Sequence, residues 1–114
     1  MERPSKKKGD ELSAVVPALT EYTDRILYDE VWERPGLSKR DRSLVTVAAL
    51  IAMYRPEQLP AHLGLAMKHG LTKDEISEAI LHLAFYASWP SAITASRKFL
   101  EVVQKMESEA PTET

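Results

Sequence analysis

The stretch Arg55–Pro90, RPEQLPAHLGLAMKHGLTKDEISEAILHLAFYASWP, holds all three histidines of the chain and reads as two helices joined by a tight turn. Thr72-Lys73-Asp74-Glu75 is a capping box: the threonine hydroxyl can accept the backbone N–H of Glu75 while the glutamate reaches back to the N–H of Thr72. Gly70, just before it, suits the left-handed position that ends a helix. Upstream, Leu59, Leu63, Ala66 and Met67 recur at helical spacing, with Pro56 in the first turn and Pro60 still early enough to be tolerated. Downstream, Ile76, Ala79, Ile80, Leu83, Ala84 and Ala87 form a second apolar stripe, broken by Ser88-Trp89-Pro90.

Working outward, Pro90 opens a last helix, with Ile93, Phe99, Leu100, Val103 and Met106 as its stripe and an end near Glu107. On the N-terminal side, Ser38 to Asp41 resembles a capping box with aspartate in place of the usual glutamate, and predicts a helix from about Lys39 to Tyr54. From Leu44 to Tyr54 its only polar side chain besides the tyrosine is Thr46. A helix apolar all round must lie inside a bundle or be covered by another subunit, which points to a homo-oligomer. A first helix carries Val15, Leu19, Tyr22, Ile26 and Leu27; it begins near Pro17 and stops by Arg34, before the Pro35-Gly36 turn. Residues 1–11 are expected to be a mobile tail, residues 12–107 one helical domain, and residues 108–114 a frayed end. No strand-like alternation occurs, so the fold class is all-α: a compact bundle of about five helices.

Composition narrows the function. The 114 residues make one domain, with 44% apolar and 28% charged residues. A net charge of −2 gives no pull toward nucleic acid or an anionic membrane, and Lys6-Lys7-Lys8 reads as a solvated tail. The apolar run Val47–Tyr54 is too short to cross a bilayer and no secretory signal is visible, so a cytoplasmic protein is expected. With no cysteine there is no disulfide, thiolate ligand or thiol nucleophile. The histidine spacing matches no metal motif, and neither a phosphate loop nor a nucleophile elbow is present.

Glu78, His82 and Tyr86 follow one another at intervals of four and share a helix ridge. A carboxylate one turn from an imidazole can fix its tautomer, and a tyrosine on the next turn can relay a proton. An ordinary surface pair beside a packed tyrosine has the same spacing. His62, at the edge of its helix's apolar face, is either a satisfied core histidine or a second acid/base group facing a shared cleft. His69 reads as a helix-end cap. Arg42 and Arg55 bracket the apolar helix; each can bind a carboxylate in bidentate fashion or serve as a surface ion-pair partner.

The combination LSKRDRSLVTVAALIA and EQLPAHLGLAMKHGLTKDEISEAILHLAFYASWPSAITA resembles the carboxymuconolactone decarboxylase family in its short, single-domain form, over about residues 31–105. The resemblance implies an alkylhydroperoxidase D-like fold assembled as a ring, most often a hexamer built as a trimer of dimers. In the related peroxidase type, thiol chemistry uses a Glu, a Cys-x-x-Cys pair and a His. The matching positions here are Ser43, Arg55, Gln58 and His62, so only the histidine remains and thiol peroxidase chemistry is excluded. The decarboxylase branch implies cofactor-free removal of carbon dioxide from a carboxylated lactone. His82 or His62 is then the proton donor, Tyr86 a helper with Glu78 behind it, and Arg42 or Arg55 the carboxylate anchor. A non-catalytic oligomeric metabolite-binding protein is the alternative; an antioxidant role survives only as a family label. Ser88 departs from the glycine common before the aromatic-proline turn, which requires an ordinary negative φ there.

Overall fold

The computed structural model describes residues 9–109, with side chains from residue 11 onward; the regular elements among these are all helices, without strands. The all-α expectation therefore holds. The tails expected at residues 1–11 and 108–114 lie largely outside the described residues. Where described, they are helical: Gly9–Ser13 forms a short helix, α1, and the last helix runs through Glu109.

Two units divide after Arg42. In the first, α2 (Pro17–Tyr22) starts with its proline in the first turn, as expected. The chain then passes into a π-helical segment, Thr23–Val31, instead of continuing as one α-helix to Arg34. The Trp32 N–H reaches back five residues to the Leu27 carbonyl at 2.9 Å. That wider winding shifts the register of the side chains. Val15, Leu19, Tyr22, Ile26 and Leu27 are all exposed, while Tyr28 and Trp32 are buried and stack with ring centroids 5.9 Å apart.

In the second unit, the inward stripe of α3 (Lys39–Ala52) is Ser43, Val47 and Ile51. The helix is apolar on more than that face, for Val45 is 61% exposed. Its start follows the sequence in part: the Asp41 N–H donates to Ser38 Oγ at 3.0 Å, while the Asp41 carboxylate pairs with Arg40. α4 (Leu59–Lys68) begins later than expected, with Pro60 in its first turn and Pro56 in the preceding loop. Thr72 and Glu75 form the full capping box of α5 (Lys73–Tyr86). α6 (Trp89–Glu109) packs against α4 and α5.

The core joins these helices through Val47, Ile51, Leu59, Leu63, Ala66, Leu71, Ile76, Ile80, Ala92, Ala95 and Val102. Here α6 corrects the sequence reading: its inward face is Ser91, Ala92, Ala95 and Val102, and Ile93, Leu100 and Met106 point outward. Small alanines allow the close approach of α6 to its neighbours, and they carry too little hydrophobic signal to reveal that face. Ala87 is also exposed, at the end of α5 rather than on its core stripe. Ser88 has no positive φ. Its Oγ accepts the Ser91 N–H at 3.0 Å and bonds Ser91 Oγ at 2.7 Å, which makes it the N-cap of α6 and explains a serine where glycine is common.

α3 and α4 end in the same hydrogen-bonding pattern. At the end of α4, the N–H groups of Gly70 and Leu71 donate to Met67 and Ala66; at the end of α3, those of Tyr54 and Arg55 donate to Ile51 and Leu50. This is the Schellman arrangement, whose penultimate residue is left-handed. Gly70 takes φ 110° without a Cβ penalty, whereas Tyr54 takes φ 56° at a cost of about 1–2 kcal/mol.

Candidate functional site

His62 rides on α4 one residue before Leu63, which is fully buried. The imidazole is half-buried, and loss of solvent lowers its pKa below histidine's ordinary value, so the neutral ring is favoured. Its backbone N–H donates to the Gln58 carbonyl at 3.4 Å, in the turn that also carries Arg55.

Arg55 is exposed but not loose. Its Nη1 donates to the carbonyls of Met53 at 3.0 Å and Tyr54 at 3.3 Å, two acceptors left over at the end of α3. No ion pair involves it among the described residues. Arg42 is engaged elsewhere, with Nη2 on the Arg34 carbonyl at 3.2 Å.

On α5, His82 and Tyr86 stack face to face, centroids 4.6 Å apart and planes 20° from parallel. The expected ridge is therefore real for these two residues. Glu78 makes no hydrogen bond to His82, and all three side chains are exposed, Tyr86 at 79%. No hydrogen bond or ring contact links His62 to His82 among the described residues. The two histidines are presented from consecutive helices, His62 half-buried and His82 exposed.

Next to this ridge lies an extensive apolar surface. Phe85 and Trp89 meet edge to face at 5.6 Å, 74% and 56% exposed. A groove of about 370 Å³ between α5 and α6 is lined by Leu81, Ala84, Trp89, Ile93 and Phe99, with Ser77 and Ser96 at its edge. None of the six expected site residues lines it.

Sequence reading missed the pairing of Ser43 with His69, Oγ to Nδ1 at 2.8 Å. Its signal was a serine on the inward stripe of α3: a hydroxyl 2% exposed requires a partner. His69 is the C-cap residue of α4 as expected, and it also satisfies this buried group. Among the described residues, no group of three or more acidic or histidine side chains could hold a metal, and no helix is long and apolar enough to cross a membrane.

Known proteins give this geometry a context. Over 85 residues the chain is 41% identical to a 4-carboxymuconolactone decarboxylase of Acinetobacter baylyi, an alignment covering 75% of this chain and 63% of that protein. It is 37% identical over 92 residues to the nitrosuccinic acid decarboxylase npaB of Metarhizium robertsii, covering 81% of this chain and 57% of that protein. The chain thus spans about three-fifths of the length of the curated relatives it matches. The carboxymuconolactone decarboxylase family model matches residues 17–101, from the start of α2 into the last turns of α6. By that match, and by the two relatives, the chain belongs to the carboxymuconolactone decarboxylase family.

Proposed function

We propose that the protein is a cofactor-free decarboxylase of a small carboxylated lactone or related acid, acting as a cytoplasmic homo-oligomer, a hexamer built as a trimer of dimers. The observation that carries this reading is the half-buried His62 on α4, together with an Arg55 fixed on the end of α3, in a chain similar to two decarboxylases. In the reaction the bond between the departing carboxylate and its carbon breaks, and carbon dioxide leaves. The electron pair spreads into the lactone, and a proton is delivered to carbon. His62 or His82 is the donor to carbon; burial favours the neutral His62 ring, so its protonated form is the minor one and, by the same lowering, the stronger acid.

His82, Tyr86 and Glu78 form the second half of the site, with Arg42 or Arg55 as carboxylate anchor. Oligomerisation is supported by the surface on which His82 and Tyr86 stand: Leu81, Phe85, Tyr86 and Trp89 are each more than half exposed. A single chain leaves this area in water, and a subunit covering it would enclose the ridge.

The test is carbon dioxide release from 4-carboxymuconolactone by the purified protein, beside His62→Ala and a His62→Ala/His82→Ala double variant. General acid catalysis by His62 predicts a loss of about 10²–10⁴-fold in kcat for the single variant. Full turnover by that variant removes His62 from the mechanism. No turnover by the wild type favours the metabolite-binding alternative.

A further inference from the structure

Tyr54 occupies a left-handed backbone position that a glycine would fill without strain, yet the residue is 53% exposed and so gains little from packing in the chain. The following residue, Arg55, is held against the same turn by two bonds from Nη1. Those bonds fix the guanidinium while Nε and Nη2 make none within the described residues. An arginine without an acid partner, oriented by backbone carbonyls, is a ready donor for a carboxylate.

The names of the two relatives define what such a donor could hold. Nitrosuccinic acid is succinic acid with a nitro group on C2. In 4-carboxymuconolactone, one ring carbon carries both a carboxylate and a carboxymethyl arm, so it too contains a 2-substituted succinate. In both, the carbon that bears a carboxylate also bears an electron acceptor and a CH2–COO⁻ arm. Loss of carbon dioxide from that carbon places the electron pair on the nitro group or the conjugated lactone, and a proton then adds to carbon. The arm keeps its charge throughout.

We infer that the turn between α3 and α4 binds this unreacting arm, with Arg55 as its cation and the strained Tyr54 as a neighbouring phenol donor, and that the substrate class is a succinate carrying an electron acceptor on C2. The inference rests on the decarboxylase reading for the reaction, but not for the anchor. A group that binds the arm equally in ground and transition states acts on KM more than on kcat.

The anchor is tested with succinate itself, by its effect on thermal unfolding of the wild type, Tyr54→Gly, Tyr54→Phe and Arg55→Lys. Succinate is expected to raise the wild-type Tm, with the shift reduced in Tyr54→Phe and absent in Arg55→Lys and Tyr54→Gly. Without ligand, Tyr54→Gly should melt at the wild-type temperature or above it. On 4-carboxymuconolactone, Tyr54→Gly and Arg55→Lys should each raise KM about tenfold, the cost of one charge-assisted hydrogen bond, while kcat changes less. An unresponsive wild type, or an undiminished succinate shift in Arg55→Lys or in both Tyr54 variants, would overturn the anchor, and a Tyr54→Gly protein that melts lower would overturn the strain at Tyr54. If succinate binds as expected but neither 4-carboxymuconolactone nor nitrosuccinate is turned over, the anchor stands and the decarboxylase reading falls.

Discussion

The ends of α3 and α4 share one hydrogen-bond scheme and differ in every other respect. At the end of α4 the left-handed residue is Gly70, and the next residue, Leu71, is 3% exposed within the core. At the end of α3 the corresponding residues are Tyr54 and Arg55, both exposed, one strained and one bonded to the helix end. The α4 turn uses the cheapest backbone and returns the chain to the core. The α3 turn accepts a backbone penalty and presents a phenol and a cation to solvent. Equal local geometry therefore serves folding in one place and, in the role proposed for Arg55, recognition in the other.

The largest effect should come from Leu71→Ala, which removes a buried side chain that follows the glycine turn. A loss of about 2–5 kcal/mol in unfolding free energy is expected by urea denaturation. The equivalent change at the other turn, Arg55→Ala, should cost less than about 1 kcal/mol, because an exposed side chain and two partly solvated hydrogen bonds are lost. Equal losses at both positions would erase the contrast.

A smaller effect of opposite sign separates the left-handed residues. Gly70→Ala should destabilise by about 1–2 kcal/mol, since it places a Cβ at φ 110°. Tyr54→Gly should be neutral or stabilise by up to about 1 kcal/mol, because relief of strain is partly offset by the greater freedom of glycine in the unfolded chain. The two variants are best measured side by side in one denaturant series.

The pH dependence of the fold sharpens the picture at His62, between the two turns. Its folded pKa is lowered by burial, so the unfolded chain takes up the proton more readily. Stability is fully present above the unfolded value of about 6.5 and is lost as the pH falls through the lowered folded value. His62→Gln should flatten that slope in melting curves taken from pH 8 to 5. For activity the sign is reversed: if protonated His62 is the donor, kcat should decline as the pH rises above its lowered pKa. The smallest effect is expected at Glu78, exposed and not bonded to His82: Glu78→Gln should change unfolding free energy by less than about 0.5 kcal/mol, so any fall in turnover reports on the site itself.

Much of this was legible in the sequence. The Thr72 box, Gly70 and Pro17 in a first turn are local devices, determined by residues a few positions apart, and each appears where expected. The stacking of His82 on Tyr86 is likewise local, following from two residues one helical turn apart. The stretches LSKRDRSLVTVAALIA and EQLPAHLGLAMKHGLTKDEISEAILHLAFYASWPSAITA, which carry the family resemblance, were equally readable, as was the absence of cysteine. The inward face of α6 was not. A helix turns toward whatever neighbour it packs on, and the alanines that permit close approach leave no apolar stripe to read.

The sequence by itself thus determined the helical class, the main helix boundaries around the histidines and the family, because caps, glycines and periodicity act over one or two turns. Tertiary structure alone decided which face of each helix is buried, that Ser43 finds His69, that Arg55 is held by backbone carbonyls and that Tyr54 stands at positive φ. These depend on groups brought together by packing or on a backbone angle that a tyrosine does not ordinarily adopt. No spacing rule encodes them.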